Sequence, residues 1–91
     1  MGTTLSFQRN FGHFLLLKLI ARGGMAEIFR AMSYGTQGFS KLVAVKRILP
    51  DLSSDPQYVD MFVHEAKLAA HLHHTNIVQI VDFGSIQNQL Y

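Results

Sequence analysis

The glycine pair Gly23-Gly24 constrains this chain more than any other feature. The compact apolar run His13-Phe14-Leu15-Leu16-Leu17-Lys18-Leu19-Ile20 leads into it, and Glu27-Ile28-Phe29-Arg30-Ala31-Met32 follows. Two short apolar segments flanking small turn residues predict a β-hairpin, although the pattern of the first run alone does not separate strand from helix. Gly35 and Gly38 bracket a second turn. Leu42-Val43-Ala44-Val45-Lys46-Arg47-Ile48 then reads as a third strand, rich in β-branched residues and stopped by Pro50.

A helix start comes next. Asp55 suits the N-cap, and Pro56 suits the first helical position, where its missing N–H costs nothing. Phe62, Ala69 and Leu72 recur at helical spacing until the polar run His73-His74-Thr75-Asn76 ends the element. A fourth strand is expected over Ile77–Val81, leading through Asp82-Phe83-Gly84 into a turn. Leu90-Tyr91 reads as the opening of a fifth strand that is not completed. Residues 1–12, polar and small, read as an N-terminal arm, and residues 13–91 as one small domain. No internal repeat or low-complexity tract is present.

Composition narrows the function classes. A chain of 91 residues forms one domain at most, burying about 60–65% of its unfolded surface. With 48% hydrophobic and 15% charged residues it has the makings of a packed core rather than a disordered segment. Its eight Lys and Arg are dispersed and its net charge is only +2, so nothing marks a nucleic-acid footprint. Cysteine is absent, which removes disulfides and thiolate metal sites. Lys18 interrupts the one apolar stretch that resembles a targeting signal, and no run is long enough to span a membrane. A soluble, cytoplasmic chain without membrane contact is expected.

Three features carry chemistry. A small-residue loop between antiparallel strands lets backbone N–H groups approach phosphates closely, though an ordinary hairpin turn has the same sequence. Side chains alternate along a strand, so Ala44 and Lys46 share one face and Val43 and Val45 the other. A small residue beside a cation leaves room for a flat, anionic ligand; a lysine extending to solvent is the plainer reading. Phe62, Glu65, Ala69 and Leu72 fall along one line of the helix, which sets the Glu65 carboxylate in an apolar stripe in want of a cation. Glu65 at the solvated edge of that stripe is the alternative.

In order and spacing these features resemble the N-terminal, ATP-binding lobe of protein kinases, with a bacterial serine/threonine-kinase flavour. Kinases carry a G-x-G-x-x-G-x-V loop, then V-A-x-K on the third strand, then a helix glutamate that pairs with that lysine. Here the loop reads Ala21-Arg22-Gly23-Gly24-Met25-Ala26-Glu27-Ile28, the lysine motif Val43-Ala44-Val45-Lys46, and the helix Met61-Phe62-Val63-His64-Glu65-Ala66. His74-Thr75-Asn76-Ile77-Val78 is similar to the segment that follows the kinase helix.

The resemblance implies an α+β small lobe, a twisted antiparallel sheet with one long helix. Ile20, Ile28 and Ala44 would sandwich adenine, and backbone groups from Ala21 through Glu27 would cover the phosphates. Lys46, oriented by Glu65, would hold the α- and β-phosphates. Alanine at 21 and 26, in place of two loop glycines, predicts a stiffer loop. The implied activity is transfer of the ATP γ-phosphate to protein Ser or Thr, with the catalytic base and Mg2+ ligands supplied by a second lobe that these residues lack. The segment alone would be inactive. A noncatalytic interaction module built on the same lobe is the alternative.

Two look-alikes are set aside. Asp82-Phe83-Gly84 spells the kinase magnesium motif but stands where the family has its fourth strand, so a strand-end turn is expected. His64, His71 and His74 have helical spacing but lack the companions of a zinc site. In the kinase order the fifth strand would lie beside the third, so an incomplete fifth strand leaves the Lys46 strand with an open edge. Self-association through that edge is expected.

Overall fold

A computed structural model describes residues 9–70 and 82–91. The expected strand Ile77–Val81, the helix-ending run His73–Asn76, Leu72, His71 and most of the arm lie outside the described residues. The chain divides into two compact units, one running through Arg47 and the other from Ile48 onward.

The first unit is built on a four-stranded sheet in the order β1-β2-β3-β4. Its strands are β1 (Arg9–Phe11), β2 (Phe14–Arg22), β3 (Ala26–Tyr34) and β4 (Ser40–Ile48), the last residue of which begins the second unit. The end of the expected arm is therefore an edge strand. Phe11 pairs with Phe14 across a two-residue turn whose first position, Gly12, has φ 58. Glycine is needed at that position because the left-handed region is closed to most side chains. The sequence concealed this strand because only Phe11 in it is apolar and buried.

Strand β2 departs from simple alternation. Leu16 pairs with Ala31 but Lys18 pairs with Arg30, and Leu19 pairs with Phe29 but Ala21 with Ile28. Leu17 and Ile20 are thus extra residues, two β-bulges on one strand. Each bulge moves the following side chains to the other face. The first turns Lys18 away from the core face of Leu16, and the second returns Arg22 to it, opposite Glu27. That is how an apolar run without alternation fits a sheet.

Phe11, Phe14, Leu16, Phe29, Ala31 and Val45 form the core of the sheet, each under 7% exposed. Between β3 and β4 a short 3-10 turn, Thr36–Gly38, carries Gln37 at φ 60 and Gly38 at φ 77.

The second unit contains the helix α1 (Pro56–Ala70), which starts where the sequence expects it. Asp55 Oδ1 accepts from the Gln57 N–H at 3.0 Å, and the Val59 N–H donates to the Asp55 carbonyl at 3.0 Å. A cap of this kind stabilises a helix by about 1 kcal/mol. Phe62 is buried, with Tyr58, Val59, Val63, Ala66 and Ala69 half-buried around it. Strands β5 (Ser85–Ile86) and β6 (Gln89–Leu90) form a small hairpin. Gln87 and Asn88 at its tip both have positive φ, as a type I′ turn requires. Leu90 is therefore paired, with Ser85, and Gln89 Nε2 donates to the Ile48 carbonyl at 2.6 Å.

Candidate functional site

The glycine hairpin joins β2 to β3. The Gly23 N–H donates to the Ala26 carbonyl at 2.9 Å, leaving Gly24 and Met25 at the tip. Only Gly12 and Gly38 among the described glycines have positive φ. A methyl group added at Gly24 would meet nothing within 4 Å, and at Gly23 only the Ala26 carbonyl oxygen at 4.0 Å. The fold itself therefore does not require glycine at either place. Ala21 and Ala26 likewise have ordinary negative φ, so alanine costs no backbone strain here. The bare outer surface of the tip gives an incoming anionic group close access to backbone N–H donors.

The face of β4 follows from Arg47. Its guanidinium lies 5.0 Å from the Phe11 ring centroid and 4.8 Å from that of Phe29. Arg47 thus shares the core face, and by alternation Ala44 and Lys46 occupy the opposite face, where both are exposed. Ile28, next to Phe29, also belongs to that opposite face. Ile20 is 57% exposed as the extra residue of a bulge. Lys18 and Arg30, cross-strand partners, add two exposed cations there. One face of this unit therefore carries Ile28, Ala44, Lys46 and a cationic surround, which suits an anion bearing a flat apolar group.

Glu65 differs from expectation in its setting. It is exposed, at the border of the helix face centred on Phe62 rather than within it. Helical spacing gave its line correctly, but the apolar face is shifted toward Val59 and Ala66, three and four residues from Phe62, and toward Val63, which follows it directly.

Sequence reasoning missed the ion pair behind the hairpin. Arg47 Nε donates to Glu27 Oε1 at 3.2 Å, with the two side chains only 15% and 13% exposed. Arg22 Nε stands 3.9 Å from the other oxygen of Glu27 and is 61% exposed. The available signal was alternation, which puts Glu27 on the face of Phe29 and Arg47 on the face of Val45.

Asp82-Phe83-Gly84 is accounted for by packing within the second unit. The Tyr91 hydroxyl donates to Asp82 Oδ2 at 3.2 Å, and Phe83 stacks obliquely on Phe62 at 6.2 Å. Gly84 exchanges backbone hydrogen bonds with Tyr91, and a Cβ on it would lie 2.9 Å from the Tyr91 hydroxyl. Burial, followed by the charge of Asp82 and the hydrogen bond to it, raises the Tyr91 hydroxyl above its ordinary 10.0. His64 is exposed on α1, while His71 and His74 lie outside the described residues.

The fold so assembled is that of the small lobe of a protein kinase. A double-mutant form of the Mycobacterium tuberculosis PknI kinase domain superposes with a TM-score of 0.65 over 99% of this chain and 34% of its own, at 23% identity. The unmutated domain gives 0.62 over 90% of this chain and 32% of its own, at 24% identity. The chain's homologues are bacterial protein kinases. It is 47% identical over 81 residues to the tyrosine-protein kinase MasK of Myxococcus xanthus, covering 89% of this chain. With the serine/threonine-protein kinase PknE of Mycobacterium bovis it shares 37% over 81 residues, and with PknA of Mycobacterium tuberculosis 36% over 87. The matches cover 89% and 96% of this chain respectively. The chain spans only 12%, 14% and 18% of these three relatives. No family model matches it. No described helix is long and apolar enough to cross a membrane.

Proposed function

We propose that residues 13–91 are the nucleotide-gripping part of a protein kinase that transfers the ATP γ-phosphate to a protein Ser or Thr hydroxyl. The observation that carries this is the face shared by half-buried Ile28 with exposed Ala44 and Lys46, beside an unencumbered glycine hairpin. Ile20, Ile28 and Ala44 form the adenine contact. Backbone N–H groups of the Ala21–Glu27 stretch cover the phosphates, and the Lys46 ammonium neutralises the α- and β-oxygens. Glu65 orients Lys46 in the active arrangement. Mg2+ and the catalytic base are held by residues outside this chain, so the chain alone binds nucleotide without transferring phosphate. The homologous kinases support ATP and Mg2+ as the reactants in general.

The identity to a tyrosine-protein kinase at 47% favours a second reading, in which the acceptor is a Tyr hydroxyl. The grip on ATP is the same in both cases.

Titrating Mg2+-ATP into the isotopically labelled chain tests the site. Amides of Gly23, Gly24, Ala44 and Lys46 are expected to shift first, and Lys46→Ala to weaken the response. Shifts confined to α1 and the β5–β6 hairpin would remove the proposal.

A further inference from the structure

We propose that Glu27 and Arg47 are positioning residues, a clamp that holds the returning arm of the glycine hairpin and the Lys46 strand in one register from the face opposite the nucleotide. The inference rests on the nucleotide-grip reading above. Strand β4 stands at the end of the described sheet and has only β3 as a hydrogen-bonded neighbour there. Besides the buried Val45, the Arg47 side chain ties it to the unit. That side chain reaches Glu27 on β3 through an Nε–Oε1 contact of 3.2 Å and lies against Phe11 of β1 and Phe29 of β3. The guanidinium thus contacts three positions on two other strands from a single residue next to Lys46.

Glu27 sits at the other end of the coupling. It is the residue after Ala26, whose carbonyl closes the hairpin, and its cross-strand partner is Arg22. Its carboxylate therefore touches both stems of the loop and β4 together. Because Arg47 and Lys46 are consecutive, they point to opposite faces. A pull on Arg47 fixes the rotation of β4 about its axis, which sets where the Lys46 ammonium points. A charge-assisted bond between two side chains this shielded from water holds more firmly than a surface pair. Arg22, largely solvated, is the minor partner.

The test uses Glu27→Gln, which keeps the shape and removes the charge, and Arg47→Lys, which keeps the charge and loses the planar fork. Amide hydrogen exchange on the whole chain is read over residues 20–29 and 43–48, with Phe14–Leu16 as internal reference. Loss of one charge-assisted bond predicts exchange about tenfold faster in those two segments and little change in the reference. Mg2+-ATP affinity read from Gly24 and Lys46 amide shifts should fall by a similar factor. Exchange unchanged in both segments, or faster throughout the sheet in step with a lower melting temperature, would overturn the clamp in favour of a plain stabilising pair. If the unsubstituted chain gives no ATP shifts, the nucleotide-grip reading fails, and the exchange pattern by itself still decides whether Glu27 and Arg47 couple the loop to β4.

Discussion

Arg47 and Glu27 meet at 3.2 Å on the face of the sheet that carries Phe11 and Phe29, while Lys46 faces the other way. The chain thus separates two cations, consecutive in sequence, by function of place. One is held on the core face by a carboxylate and two aromatic rings. The other is exposed beside the glycine hairpin. The β-strand pleat performs the separation without any further device.

The first prediction concerns Phe11, 4% exposed and under the Arg47 guanidinium. Phe11→Ala removes a buried ring from a small core and exposes one side of Arg47, at a cost of about 3 kcal/mol. Denaturant unfolding followed by circular dichroism measures it. A loss below about 1 kcal/mol would mean that β1 contributes little and the arm is dispensable.

Glycines 23 and 24 should separate stability from binding. Neither has positive φ, and neither has a neighbour that a methyl group would strike. Gly24→Ala is therefore expected to leave stability unchanged or raise it by about 0.4–1 kcal/mol through the unfolded chain. The same methyl group stands between the backbone and an approaching phosphate, so ATP affinity should fall. Calorimetric melting and an ATP titration on one preparation decide the matter. A variant that loses stability and keeps affinity would show that the glycines serve the hairpin rather than the ligand.

Tyr91 supplies a pH dependence. Its hydroxyl is raised above 10.0 by burial and then by the Asp82 charge and hydrogen bond, so folding favours the neutral phenol. The folded chain then holds the proton more tightly than the unfolded chain, and stability contributed by this group is fully present below pH 10.0. It is lost as pH rises through the folded value. Asp82→Asn should bring the hydroxyl down toward, though not to, its ordinary value because the burial remains. Carbon chemical shifts of the Tyr91 ring through an alkaline titration give the two curves, and coincident curves would remove Asp82 as a cause.

Strand β4 forms one end of the described four-stranded sheet. Open strand edges recruit other strands, and Lys41 and Lys46 only partly guard the edge that β4 presents among the described strands. The chain is expected to self-associate as its concentration rises. Sedimentation velocity over a wide concentration range checks this. A single monomer boundary at every concentration would show that the edge is protected.

Local chemistry determined much of this protein. The hairpin around Gly23-Gly24, the strand through Lys46 and the helix beginning at Asp55-Pro56 were all legible, because turn glycines, β-branched runs and N-caps act over a few neighbouring residues. The kinase likeness was legible for the same reason, being a set of short motifs at fixed spacing. Other features were decided only when strands came together. Leu17 and Ile20 became bulges because β2 had to match β3, Phe11 became core because β1 folded back on β2, and Glu27 found Arg47 twenty residues away. Glu65 shows the limit most clearly. Its spacing placed it on a line with Phe62, but which side of that line is apolar depended on Val59, Val63 and Ala66, and the helix left its carboxylate at the exposed border. Periodicity gives the angle of a residue about its own axis; burial is set by what packs against that axis, and one segment of sequence does not carry that information.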